Sequence, residues 1–186
     1  MAAWAFKLAA HLLAGPLPRR WAHVQGVAAR ARSVSALFSD SDASTLEEAA
    51  VLHDIGYAPN LALTGFHPLD EAGYLRDSGY PKSLCALVAY HSCSYREAEL
   101  RAMVNELSEW DDEKTPLRDA LWWADMTTTP DGRRTNVHDR IGEIVERYGP
   151  ADLMTSLNLE AKSELVAAVE RTEERLWAAG LGHLAK

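Results

Sequence analysis

The stretch AAVLHDIGY at residues 49–57 decides how the rest of the chain is read. Leu46, Ala49, Ala50, Leu52 and His53 recur at helical spacing, which predicts a helix running to about Ile55, with Gly56 placed to stop it. His53 and Asp54 therefore fall at a helix end. An imidazole nitrogen and a carboxylate oxygen adjacent there can both reach one divalent ion, and this donor pair suits borderline metals. Taken alone, the dipeptide fits equally a helix-ending pair with His53 half-buried against Leu52.

Helical periodicity continues in both directions from it. Upstream, Trp21, Val24, Val27, Ala28, Ala31, Val34 and Leu37 recur at steps of three and four, predicting a helix over 19–38. Residues 39–42 read as an acidic loop, and Ser44 with Glu47 as a capping box for the HD helix. Downstream, Pro68 opens a helix that Gly79 closes, and Pro81 opens another that ends near His91. A charged helix is expected over 96–110, then a polar break at 111–114. Pro116 starts a helix carrying Leu121, Trp122, Trp123 and Asp125, whose indoles read as core; 127–136 reads as loop. Helices over 137–148 and 159–179 complete the chain, the apolar face of the last covering either the core or a partner. No strand-length alternation stands out, so the expected fold is all-α, a single-domain helical bundle over 1–186.

Composition narrows the function classes. Acidic residues outnumber basic ones, 27 to 19, for a net charge of −8, and an acidic surface repels a long nucleic acid. Cys85 and Cys93 are the only cysteines, too few for a disulfide framework or a thiolate zinc site, which points to a reducing cytoplasm. The apolar segment 2–14 is interrupted by Lys7 and followed by Pro16 and Pro18. It falls short of the roughly 20 residues a membrane span needs, so it reads as a packed first helix and no membrane partner is expected.

His23 lies in RWAHVQGVAARA, thirty residues before His53, and Asp125 lies in LRDALWWADMTTTPDG. The ordered set His, His-Asp, Asp on separate helices resembles the HD superfamily of metal-dependent phosphohydrolases over residues 19–135. His67, thirteen residues after Asp54, and His91, twenty-four later, extend the order to that of the dinuclear HD proteins, which include bacterial hydrolases of diadenosine tetraphosphate. The resemblance implies one divalent transition metal on His23, His53, Asp54 and Asp125 and a second on His67 and His91, bridged by Asp54; iron, manganese, nickel, cobalt and zinc all suit such donors. It also makes Asp54 catalytic, because the metal pair lowers the pKa of a shared water and so provides the nucleophile. Read singly, His67 could cap the helix opened by Pro68 and His91 could be a core histidine. His11, His138 and His183 have no such setting.

One departure stands out. Many catalytic HD proteins carry a lysine three residues after the HD aspartate; here Tyr57 stands there, a hydrogen-bond donor without charge. Arg133 and Arg134 in the loop after Asp125, and Arg19 and Arg20 one turn before His23, are the expected phosphate contacts. The expected function is hydrolysis of a small phosphate ester or anhydride of nucleotide class. Two alternatives share the residues: an HD-type di-iron oxygenase, and a nucleotide-binding regulatory module with little turnover. The want of an attached sensor or output region weighs against the module.

Overall fold

The computed structural model describes residues 2–185. Those residues form eleven α-helices and four single 3-10 turns, with one isolated antiparallel bridge, Thr128 to Arg134, and no strand among them. The first helix, α1 (Ala3–Leu13), buries Ala5, Ala9, Leu12 and Leu13, and among the described residues no helix is long and apolar enough to cross a membrane. α2 (Pro18–Ser33) opens on Pro18, whose missing N–H costs nothing at the first helical position. It ends sooner than its periodicity predicts, and residues Ser35–Leu37 tighten into a 3-10 turn.

α3 (Asp40–Leu52) starts one turn before the expected capping box. The Ser39 hydroxyl accepts from the Asp42 N–H at 3.2 Å, and Asp40 and Asp42 lie at the positive end of the helix dipole. Residues 39–42 are thus a cap and first turn rather than a loop, and Glu47 is paired with Arg32 instead of closing a capping box. Beyond the 3-10 turn Ile55–Tyr57, α4 (His67–Asp77) ends at Gly79, whose φ of +81° only glycine adopts freely. α5 (Lys82–Ala89) follows Pro81 as expected.

The charged segment is not one helix. α6 (Ser94–Arg101) stops at Ala102, held left-handed at φ 57°, and α7 (Val104–Leu107) is a single turn. α8 (Pro116–Met126) is capped by Thr115 and lies at the centre, packed against α2 and α3, with Trp122 and Trp123 fully buried. α9 (Val137–Tyr148) has the expected bounds. α10 (Leu153–Glu160), capped by Asp152, lies in a stretch for which the sequence predicts no helix, and α11 (Lys162–Ala178), close to the expected last helix, covers α8 with Leu165, Val169 and Leu176. Buried apolar side chains from α1 to α11 join in one core.

Candidate metal centre

Six side chains from five parts of this bundle converge. His23 lies in α2, His53 and Asp54 in the turn after α3, His67 at the first residue of α4, His91 just after α5, and Asp125 in the last turn of α8. Two close backbone approaches make the convergence possible. A Cβ on Gly56 would stand 2.2 Å from the carbonyl oxygen of His67, so only the bare backbone lets the HD turn touch the start of α4. Gly56 therefore serves this approach rather than a left-handed helix stop. A Cβ on Gly26 would stand 2.6 Å from the carbonyl oxygen of Gly132, itself at φ +76°, so the loop after α8 lies directly on α2. That contact delivers the Thr129 carbonyl to His23.

The ring orientations follow from backbone acceptors. A carbonyl oxygen can only accept, so Nδ1 of His23, His53 and His91 carries the ring hydrogen and donates to Thr129 (3.0 Å), Ala50 (2.9 Å) and Val88 (2.6 Å). With Nδ1 so engaged, Nε2 of each ring faces the centre, the arrangement that orients histidine ligands. Asp54 divides its oxygens: Oδ2 lies 3.5 Å from His53 Nε2 and 3.8 Å from His23 Nε2, while Oδ1 lies 3.6 Å from His67 Nε2. Asp125 Oδ1 is 3.0 Å from His23 Nε2 and 4.0 Å from His53 Nε2. Its Oδ2 accepts from the Ser92 hydroxyl, presented by a left-handed residue at φ 45°. Sequence reasoning missed Ser92, because nothing local signals a positive φ at a serine.

This donor set fits cations. His53 Nε2 is buried with no hydrogen-bond partner, an expensive arrangement for a polar atom that has nothing to bind. Two groups of three, His23 with His53 and Asp54, and Asp54 with His67 and His91, each bring their ligand atoms within 4.8 Å of one another. Electrostatics suit the same role. Burial works to raise the Asp54 carboxyl, but above all the Arg20 guanidinium holds it well below the ordinary range. Asp125 is likewise held low against its burial by His23 and His53. Burial and neighbouring imidazoles push His67 and His91 down, so both rings stay neutral with lone pairs available.

Arg20 donates to Asp54 Oδ2 at 2.8 Å and lies 3.9 Å over the Tyr57 ring, which stacks on His67 at 4.0 Å. Tyr57 thus braces a candidate ligand. Arg19 is tied to the exposed Asp131. Arg133 and Arg134 are exposed and line neither of the two cavities beside the centre; the arginines that line both are Arg20, Arg140 and Arg147. The inner cavity, about 70 Å³, opens onto the ligands, and His23 also lines the outer one, about 330 Å³. Arg140 and Arg147 went unread in the sequence, although seven-residue spacing on a helix puts two side chains on one face.

Comparison with curated proteins and with solved structures returns no match. The HD domain family profile matches residues 20–129, well over half of the chain and a span that holds all six converging residues. The chain belongs to the HD domain family.

Proposed function

We propose that the protein is a metal-dependent phosphohydrolase acting on a small phosphate ester or anhydride of nucleotide class. The observation that carries this reading is the division of Asp54: one oxygen faces His23 and His53, the other faces His67 and, beyond it, His91. A carboxylate so placed suits a bridge between two cations, with His23, His53 and Asp125 completing one ligand set and His67 with His91 the other. Bound divalent ions supply Lewis-acid polarisation of phosphoryl oxygens and a water acidified to near neutrality.

The chain's own groups have distinct parts in this scheme. The backbone carbonyls of Ala50, Val88 and Thr129 hold three imidazoles in the orientation that points Nε2 inward. Ser92 holds Asp125 by its outer oxygen. The cavity arginines offer charge-assisted hydrogen bonds to phosphate oxygens, the role that a lysine at position 57 would otherwise share. The outer cavity falls in the size range of small-ligand pockets, and Pro16, Leu17, Pro18 and Pro130 give it an apolar wall for a base or sugar.

Metal analysis of protein purified without added metal, followed by a screen of nucleotides for released phosphate, tests the reading. Bound transition metal together with phosphate release is the expected result. Protein that takes up metal yet releases no phosphate from any ester or anhydride, and consumes oxygen instead, belongs to the di-iron oxygenase class.

A further inference from the structure

α9 lies outside the residues matched by the family, yet it supplies two of the three arginines in the wall shared by the two cavities. Arg140 is only 6% exposed, and its Nε has no hydrogen-bond partner. Its Nη1 donates to Glu143 Oε2, while Arg147 Nε stands 3.4 Å from Glu143 Oε1. One carboxylate, about one-third exposed, therefore answers two guanidiniums, and one buried N–H is left over. In a chain of net charge −8 this is a local excess of positive charge beside a ligand-sized cavity.

We propose that Arg140 and Arg147 form an anion subsite separate from the metal ligands, that Glu143 occupies it when no ligand is bound, and that it takes a phosphate other than the one that reacts. The inference rests on the phosphohydrolase reading and narrows it to substrates with at least two phosphates. Three features support the subsite. The inner cavity is too small to hold more than the reacting end of a nucleotide, so the remainder must pass the arginine wall. A guanidinium offers donors in a planar fork that matches phosphate oxygens, and here one donor is unpaired before any ligand arrives. A phosphate also presents non-bridging oxygens to both guanidiniums at once, as the Glu143 carboxylate does, so ligand and carboxylate compete for the same donors. Glu143 then acts as a competitor that sets how much negative charge a ligand needs.

The test uses the full chain as purified and two probes that resist hydrolysis, methylenediphosphonate and methylphosphonate, titrated calorimetrically. Methylenediphosphonate is expected to bind more tightly. Arg147→Ala should weaken it about tenfold while changing methylphosphonate less than twofold, and Glu143→Gln should tighten it several-fold. Arg147 is partly exposed, so its variant is expected to keep the parent's circular dichroism and melting temperature; Arg140→Ala, at a buried position, is read only if it does the same. Equal methylenediphosphonate affinity in the parent and Arg147→Ala would overturn the subsite. Weaker binding by Glu143→Gln would also overturn it, since that outcome assigns the carboxylate a purely structural part. Loss of the subsite leaves metal content and phosphate release untouched as tests of the phosphohydrolase reading, so the two can fail separately.

Discussion

His67 Nε2 lies 3.1 Å from His91 Nε2, and since His91 donates its other ring nitrogen to Val88, its Nε2 lone pair is turned toward His67. Two buried imidazoles, both pushed toward the neutral form, share one point in space. If they complete a second ligand set with Asp54, metal-replete protein holds two ions per chain and His91→Ala retains about one. Elemental analysis against protein concentration reads the count. A single ion in the parent, unchanged by the substitution, leaves a mononuclear centre.

Asp54 contributes to both sets, so its loss should reach further. Asp54→Asn keeps the shape and removes the charge. It should bring metal content below one ion per chain and abolish phosphate release, while circular dichroism stays that of a helical protein. Retained turnover in that variant would take the HD pair out of the chemistry.

Gly56→Ala forces a methyl to within 2.2 Å of the His67 carbonyl oxygen. Backbone must move, at a cost of about 1–3 kcal/mol, and the start of α4 moves with it. Where two ions bind, affinity at the His67 and His91 set should fall more than affinity at the His23 and Asp125 set. Equal losses at both would mean that the strain spreads through the whole bundle.

Tyr57 lies between Arg20 and His67 as the middle layer of a stack. Tyr57→Phe retains the ring and should leave metal affinity near that of the parent. Tyr57→Ala removes the brace and should weaken any metal binding that uses His67 about tenfold, the usual scale for groups that orient a ligand. Metal titration of the two variants side by side separates stacking from the hydroxyl: a loss shared by Phe points to the hydroxyl.

Asp119 in α8 accepts from Arg171 at 2.6 and 2.9 Å and from Arg175 at 3.0 Å, tying α11 to the core helix. Burial works against the carboxylate, but the two arginines prevail and lower its pKa. A lowered folded pKa stabilises the protein above the unfolded carboxylate value of about 4, and that stability is lost as pH falls through the folded value. Both arginines are more than a third exposed, so Asp119→Asn should cost about 1 kcal/mol at neutral pH. Melting curves should show this deficit shrinking in acid; a constant deficit would assign it to packing.

The helical class and the six converging residues could be read from the chain itself, because periodicity, proline starts and the order of His and Asp are local or linear features. Several helix starts were local too, as at Pro68, Pro81 and Pro116. The misread segments are those where neighbours decide. Ala102 and Ser92 take left-handed conformations that their residue types do not announce, and α10 is a short helix packed against α9. The substrate side differed most: Arg133 and Arg134 follow Asp125 in sequence, yet the cavity is lined by Arg140 and Arg147 from α9. Sequence proximity carries a side chain only a few ångströms along its own backbone. Which helix face meets a cavity depends on how separate helices pack, and here that rests on contacts such as Gly26 against Gly132 and Gly56 against His67, where the absence of a side chain lets distant segments touch.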